Sequence, residues 1–261
     1  MTRATPVCPW MVASAAAIAV FAAAAPAGAQ PPPAVSAPNV MLEGSLGDMK
    51  NGFREDFAIF AGGSYTIPIP RMSSFGLQLD ATVGISDSVG LGGGGGTLFW
   101  RNSQIGLLGL SGSAVSYAGT TVGRFGLKGE YYWNRFTFEG IGGYQFGDSG
   151  SCCTVRTPSG AIAWGLANYY VSDNLRGYGG GGHVGDHWAG RIGFEFKTPV
   201  RLNVGGLSAF IDGTSSGDTH YALAGVRYRF GAGDKTLIQS DREDNVRSEL
   251  IPSTIGYRFQ F

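Results

Sequence analysis

FGLQLDATVGIS, residues 75–86, alternates in polarity at every position. Its odd-numbered residues are Phe, Leu, Leu, Ala, Val and Ile, and its even-numbered residues are Gly, Gln, Asp, Thr, Gly and Ser. Successive side chains of an extended strand point to opposite faces, so this stretch predicts a strand with one apolar and one polar face. A strand that separates lipid from a wet lumen needs these two faces.

The same alternation recurs along the chain. Four further segments show it clearly: 124–133, 135–146, 191–197 and 221–230. A soluble β-sandwich also alternates, but its apolar face forms a core in which Leu and Val often dominate. Here aromatic residues stand near the predicted strand ends, as they do in the girdle at a membrane interface. The predicted girdle residues are Trp100, Trp133, Tyr170, Phe196 and Phe230.

The number of strands follows from the spacing of the turn residues. The predicted strands are 40–48, 56–67, 74–86, 93–101, 104–117, 120–132, 135–147, 160–171, 175–184, 188–197, 201–212 and 219–230. We therefore predict an all-β fold, an antiparallel transmembrane β-barrel of about twelve strands. Ten strands stay possible, because glycines blur the alternation in 104–117, 175–184 and 201–212.

Composition supports this class of protein. Charged residues make up 15% of the chain, whereas about 25% is usual in soluble domains. The 44 glycines suit strands that curve and pack closely around a barrel. Formal net charge is +0, so we expect no nucleic-acid partner, and outer-membrane lipid is the partner that the apolar faces imply.

The ends of the chain differ from the barrel. Residues 1–29 read as a secretory signal peptide, with the apolar run 11–25 followed by small residues at a cleavage site. A membrane anchor is the alternative, but the run is shorter than the ~20 residues that span a bilayer. Residues 30–39 form a proline-rich leader, residues 40–230 the barrel, and 231–261 a charged stretch.

The chain closes on Thr-Ile-Gly-Tyr-Arg-Phe-Gln-Phe, residues 254–261. This resembles the C-terminal signal that the barrel assembly machinery reads on the last strand of outer-membrane barrels, with Gly256, Phe259 and Phe261 as the signal residues. It implies a bacterial outer-membrane location and the assembly machinery as a partner. The segment 223–230 carries the same pattern of a glycine followed by two aromatic residues.

Connection lengths bear on which of the two copies closes the barrel. Outer-membrane barrels have short periplasmic turns and longer outer loops, which makes 148–159 extracellular and sends 219–230 down to the periplasm. We therefore expect 219–230 to close the barrel and 231–261 to be a charged periplasmic tail. In the alternative, 40–48 is not a strand of the barrel, 231–252 is a loop, the topology is inverted and 253–261 is the closing strand.

Several strand sequences also resemble one known family. The runs are 75–80 (FGLQLD), 94–101 (GGGTLFWR), 136–146 (FTFEGIGGYQF) and 225–231 (GVRYRFG), the last followed by 234–238 and 241–244. They look like a family of uncharacterised alphaproteobacterial outer-membrane β-barrels with a porin-like fold. The resemblance implies a fold and a location, and it implies no activity.

Residues with reactive or metal-binding side chains are few. Cys152 and Cys153 are adjacent in the predicted outer loop, where an oxidising compartment makes a strained, easily reduced disulfide possible. His183 and His187 are about 13 Å apart on an extended strand, too far to share a metal ion. His220 has no hydrolase pattern around it. We expect no enzyme activity, no metal and no cofactor.

Charged residues on the polar faces are the clearest functional signal. The pore-lining candidates are Arg124, Lys128, Glu130, Arg135, Glu139, Arg191, Glu195, Lys197, Arg227 and Arg229. Both signs are present, which favours a narrow channel for passive passage of small polar solutes. The alternative is a non-conducting structural or surface-interaction barrel, stiffened by salt bridges and acting through its outer loops. An outer-membrane hydrolase is the third hypothesis.

Overall fold

The computed structural model describes residues 32–51, 54–86, 89–117, 120–147, 159–185, 187–202, 205–217, 219–231 and 234–247. Over these residues the chain forms twelve strands and one short helix. The strands are β1 (Asn39–Asn51), β2 (Arg54–Ile69), β3 (Met72–Ser86), β4 (Val89–Asn102), β5 (Gly106–Tyr117), β6 (Thr120–Trp133), β7 (Phe136–Gly147), β8 (Gly160–Ser172), β9 (Leu175–Val184), β10 (His187–Leu202), β11 (Gly205–Ser216) and β12 (Thr219–Phe230). The helix is α1 (Leu237–Glu243).

The twelve strands form one closed antiparallel barrel, which confirms the predicted fold class and the larger of the two strand counts. Each strand pairs with its neighbours in the sequence, and β1 closes the ring by pairing with β12 from Met41–Arg229 to Asn51–Thr219. The described strands therefore close without 253–261, and that segment lies outside the described residues. A closed ring leaves no sheet edge whose backbone groups would face lipid.

Most strand boundaries differ from the prediction by a few residues, and the largest difference lies between the tenth and eleventh strands. The tenth strand extends to Leu202, and the eleventh begins at Gly205 rather than at 201. The register shifts between Lys197 and Arg201, where Pro199 has no backbone N–H to give to the ladder. A proline between two charged residues looks like a turn in the sequence, but here it is a bulge inside a longer strand.

An even number of strands brings both ends of the barrel to the same rim, which we call the terminal rim. The turns at 70–71, 103–105, 134–135 and 173–174 lie there, and the opposite rim, the loop rim, joins β7 to β8 through 148–159. Arg71 and Asn134 have φ values of 67° and 49°, which these tight turns require. No helix among the described residues is long and apolar enough to cross a bilayer.

The outer face of the barrel is apolar and the inner face is polar. On β3, Leu79, Val83 and Ile85 are half-exposed or more on the outside, while Gln78 and Thr82 are buried inside. Exposed large apolar side chains occur in the same way on the outer faces of the other strands except β9, whose outward positions are mostly glycine. This is the two-faced arrangement that residues 75–86 predict.

Aromatic side chains at the terminal rim follow the prediction with one exception. Trp133, Phe196 and Phe230 are exposed on the outer face, and Trp100 is partly exposed there. Tyr170 is 1% exposed and points into the lumen, so its assignment to the girdle is wrong.

The outward aromatic residue on β8 is Tyr169, whose ring lies 4.8 Å from that of Phe136. The error has a local cause. Ile162, Trp164 and Leu166 on β8 face inward and form a buried cluster with Val184 and Ala189, so both faces of this strand are apolar. The alternation there does not reveal which side faces the lumen.

The chain returns to the barrel after β12. Residues 234–247, which we call the lumen segment, enter the lumen at the terminal rim. The helix α1 within it starts at a capping box, in which the Gln239 backbone N–H donates to Thr236 Oγ1 and the Thr236 N–H donates to Gln239 Oε1. The sequence predicts a periplasmic tail here, and the described part of that tail lies inside the barrel instead.

Candidate functional site

Nine of the ten predicted pore-lining residues lie on the inner face of the barrel: Arg124, Lys128, Glu130, Glu139, Arg191, Glu195, Lys197, Arg227 and Arg229. Arg135 does not. Strand β6 ends at Trp133, so Arg135 belongs to the turn, where its half-exposed side chain pairs with Asp173 at 3.4 Å. The alternation of a strand does not extend into a turn, which is why the prediction fails at this residue.

Glu195 is the centre of the largest charged cluster in the lumen. Its carboxylate accepts from Arg176 and Arg227 at 2.5 Å and from Arg229 at 2.7 Å, and the side chain is 0% exposed. Arg227 also donates to Glu43 at 2.5 Å. Short contacts between opposite charges away from bulk water hold these side chains in fixed positions.

The sequence prediction missed Arg176 and Glu43. Arg176 lies opposite Glu195 in the ladder between β9 and β10, where a buried ion pair forms between neighbours. The glycines of 175–184 blur the alternation of β9, so the face of Arg176 was not assigned. Its spacing of two residues from Tyr178, which also points inward, is the signal that identifies the inner face.

A second cluster lies on strands β9, β10 and β11. Asp212 accepts from Arg191 Nε and Nη2, both at 2.6 Å, and from the Tyr178 hydroxyl at 2.7 Å. Paired donation by one guanidinium fixes the geometry as well as the distance. Asp212 was not predicted either, because it lies in the strand whose boundaries were misplaced.

The lumen segment brings a third carboxylate to this wall. Asp241 Oδ2 accepts from Arg176 Nη1 at 2.6 Å and from the Tyr170 hydroxyl at 2.9 Å, and Oδ1 lies 3.5 Å from Arg229 Nη2. The next residue, Arg242, donates to the carbonyl of Phe136 at 2.7 Å. The helix is therefore fastened to strands β7, β8, β9 and β12.

The end of the lumen segment reaches the opposite wall. The Val246 backbone N–H donates to Gln78 Oε1 and its carbonyl accepts from Gln78 Nε2, both at 2.7 Å. Arg101 donates to the Asn245 carbonyl at 2.9 Å, and Lys128 donates to the Arg247 carbonyl. These contacts are on β3, β4 and β6.

Arg247 is the last described residue of the lumen segment. Its guanidinium lies 3.6 Å from Glu139 and 4.4 Å from the centre of the Tyr178 ring. Burial lowers the pKa of Arg247, and the nearby Glu139 carboxylate opposes that shift. The positive charge of Arg247 is therefore stabilised by the Glu139 carboxylate and the face of the Tyr178 ring rather than by water.

The leader closes the terminal rim beside the lumen segment. Ala34 and Val35 are buried in a cluster with Phe99, Leu107 and Val246. Ser36 Oγ donates to Asp244 Oδ1 at 2.5 Å, and Lys235 Nζ lies 2.6 Å from the same oxygen. The two ends of the barrel chain are thus tied to each other as well as to the wall.

A small polar cavity remains where the lumen segment meets the wall. It has a volume of about 40 Å³. Its lining includes Glu43, Tyr170, Arg176, Asp241 and Arg247. A space of this size takes a few water molecules and no larger solute.

The remaining predicted site residues lie elsewhere. Cys152 and Cys153 fall outside the described residues, as do Gly256, Phe259 and Phe261. His183 faces outward with its ring edge against Trp188, whereas His187 is buried on the inner face, so the two histidines are on opposite sides of the sheet. His220 is exposed on the outer face of β12 near the loop rim. Within the described part of the chain, no group of three acidic, histidine or cysteine side chains could hold a metal ion.

Comparison with known proteins supports the fold. No protein-family model matches the sequence, and a search of curated proteins found no match either. The solved structure of the KdgM porin is 10% identical and has a TM-score of 0.50, with 73% of this chain and 98% of that chain covered. The COG4313 outer membrane channel from Pseudomonas putida F1 is 9% identical with a TM-score of 0.50, and the match covers 79% of this chain and 98% of that chain.

Fold and surface together define the class of protein. A closed antiparallel ring with an apolar outside and a charged inside is the architecture of a β-barrel in the bacterial outer membrane. The solved structures that share the fold include a porin and an outer-membrane channel. The chain is a β-barrel of the outer-membrane type, and residues 234–247 of the same chain cross its lumen.

Proposed function

We propose that the protein is an outer-membrane channel for small polar solutes, held closed at the terminal rim by the lumen segment. One observation carries the proposal: residues 234–247 contact side chains or carbonyls on nine of the twelve strands through polar bonds. These strands are β1, β3, β4, β6, β7, β8, β9, β10 and β12. The segment therefore spans the lumen rather than lining one side of it.

The small space that remains beside the lumen segment supports closure of the channel. The cavity beside Asp241 holds about 40 Å³, which is too small for a sugar or an amino acid. A solute that enters from the loop rim therefore meets the lumen segment and the charged cluster around Glu195. Passage through the barrel requires the lumen segment to move.

The kinds of contact between the lumen segment and the barrel wall support movement of the segment. Of the segment's apolar side chains, Leu237 and Val246 are fully buried, and burying each contributes about 1.5–3 kcal/mol. Most other contacts are hydrogen bonds to side chains and carbonyls, which water replaces at low net cost when the wall is wetted. The ion pairs of Asp241 with the buried Arg176 and Arg229 are the exception. The barrel itself does not depend on the segment, because β12 already pairs with both β1 and β11.

A permanently closed scaffold is the second candidate, and one observation favours it. Ala34 and Val35 of the leader pack with Val246 against Phe99 in an apolar cluster, which joins both chain ends to the wall. Water does not readily enter an apolar cluster of this kind. A scaffold of this type would act through the loops at the loop rim.

Conductance in planar bilayers tests the proposal. A double variant, Asp241→Ala with Arg242→Ala, removes the contacts that fasten α1 to Arg176, Tyr170 and Phe136. We expect rare conducting steps in the wild type and frequent, longer steps in this variant.

Arg135→Ala is the matched control, because it removes an exposed arginine contact outside the lumen. It should behave as the wild type. If the double variant never conducts, the scaffold is correct. If the wild type conducts as continuously as the double variant, the lumen segment does not close the channel.

A further inference from the structure

We propose that Tyr170, Arg176 and Arg229 form a carboxylate-binding site in the lumen wall, which Asp241 occupies and for which a small organic carboxylate competes. The inference rests on the proposed function, since it names the class of solute that would release the lumen segment. The binding site itself is testable without any conductance.

The geometry is that of a receptor for one carboxylate. Asp241 Oδ2 lies 2.6 Å from Arg176 Nη1 and 2.9 Å from the Tyr170 hydroxyl, while Oδ1 faces Arg229 Nη2 at 3.5 Å. All three donors belong to the barrel wall, on strands β8, β9 and β12. The wall residue Glu195 holds Arg176 at 2.5 Å and Arg229 at 2.7 Å, so these two donors are positioned independently of the lumen segment.

Charge favours an anion at this position. The guanidinium groups of Arg176, Arg227 and Arg229 form ion pairs with two wall carboxylates, Glu43 and Glu195. Asp241 supplies a third carboxylate, which contacts Arg176 and Arg229. When Asp241 leaves, these two arginines share Glu195, so a free carboxylate that takes the place of Asp241 is favoured.

The wall also has donors that Asp241 does not use. Arg176 Nε and Arg229 Nε are buried and have no hydrogen-bond partner in the part of the chain that the structure describes. The polar cavity of about 40 Å³ adjoins the same side chains. A free carboxylate has more freedom than one fixed to α1, so it can approach Arg229 more closely than 3.5 Å.

Asp241 and a free carboxylate therefore compete for the same site. Asp241 is attached to the chain and acts at a high effective concentration, so a single free carboxylate displaces it only at high concentration. A solute that carries its carboxylate on a polar body gains the remaining lumen contacts as well. The site therefore favours small anionic solutes, such as sugar acids or dicarboxylates, over neutral ones.

Chemical rescue tests the site. Asp241→Ala removes the carboxylate and leaves space for formate, which is the probe. The readout is the temperature at which the folded barrel loses its fast-migrating band on gels, compared in formate and in chloride at equal ionic strength. We expect formate to raise this temperature by several degrees in the Asp241→Ala variant.

Two control variants test whether the stabilisation by formate is specific to the proposed site. Asp241→Asn fills the same space with a neutral amide, so formate should not stabilise it. Asp244→Ala removes the other buried carboxylate of the lumen segment, which is bound by Ser36 and Lys235 rather than by the proposed site. Equal stabilisation of all three variants by formate would overturn the proposal.

Competition with Asp241 intact provides the second test, and it holds even if Asp241→Ala fails to fold. Leu237→Cys places a thiol at a buried position of the lumen segment, and Gln239→Cys places one at an exposed position. Both are made with Cys152 and Cys153 changed to Ser. The rate of thiol labelling then reports how often the segment leaves the wall.

Formate at twice its Kd should raise the labelling rate of Leu237→Cys about threefold and leave that of Gln239→Cys unchanged. An unchanged rate for Leu237→Cys at saturating formate would show that no free carboxylate reaches the site. These readouts measure binding alone. If both tests show formate binding and no conductance is seen in planar bilayers, the carboxylate site is correct and the channel proposal is wrong.

Discussion

Glu195→Gln is the most informative single substitution in the barrel. The change keeps the volume of the side chain and removes one negative charge from the cluster of Arg176, Arg227 and Arg229. The Glu195 side chain is 0% exposed and its three partners are 4–7% exposed, so water does not replace the lost charge in the folded state.

The size of the effect follows from these contacts. Removing one partner of a buried ion pair costs about 3–5 kcal/mol. Three charge-assisted bonds are weakened together. Arg176 and Arg227 both donate to Oε2, so a glutamine oxygen at that position still accepts from both, which keeps the loss within that range. We expect the free energy of unfolding to fall by about 4 kcal/mol.

Urea unfolding in lipid vesicles, followed by tryptophan fluorescence, measures this loss. With an m-value of about 2 kcal/mol/M, 4 kcal/mol lowers the midpoint by about 2 M. Glu243→Gln is the control, because Glu243 pairs with Lys235 at 3.1 Å and is 39% exposed. Such a partly exposed pair contributes about 1 kcal/mol or less.

The reasoning is refuted if Glu195→Gln shifts the midpoint no further than Glu243→Gln does. That outcome would mean that the cluster exchanges freely with water and that its charges act independently. It would also weaken the carboxylate site, which depends on the same buried arginines.

Two other substitutions test separate parts of the structure. Gly182→Ala places a Cβ 2.1 Å from the Ala163 carbonyl oxygen, so we expect a loss of about 1–3 kcal/mol in the free energy of unfolding measured in urea. The control is Gly92→Ala, whose Cβ meets nothing within 4 Å and should leave the stability unchanged. Equal urea midpoints for the two variants would contradict the packing between β8 and β9. Asp244→Ala removes the acceptor for Ser36 and Lys235, and a loss of about 1.4 kcal/mol should make limited proteolysis of the leader about tenfold faster. Cleavage at the wild-type rate would show that the leader is held by its apolar contacts alone.

Much of the fold was predictable because the signal is local. In residues 75–86, apolar and polar side chains alternate, and the structure places them outside and inside the barrel as predicted. The prediction failed at Tyr170 and Arg176, where inner-face apolar residues or glycines make the two faces of β8 and β9 look alike. A two-residue period identifies a strand, but it does not identify the inner face when both faces have similar polarity.

The candidate site was only partly predictable. Glu195, Arg227 and Arg229 were found as inward charges, but Asp241, which contacts Arg176 and Arg229, was placed in a tail outside the barrel. The signal for that stretch was a run of charges, which also suits a solvated tail. Nothing local to residues 234–247 points to the wall residues that bind them.

The sequence by itself determined the all-β class and, for most strands, the two faces of the wall, because both depend on side chains two residues apart. The tertiary structure decided where the charged end of the chain lies. Gln78 and Val246 are 168 residues apart, and their paired hydrogen bonds exist because the closed ring places that wall opposite the returning chain. A lumen is a property of the closed barrel, so its occupant is decided by complementarity among distant residues.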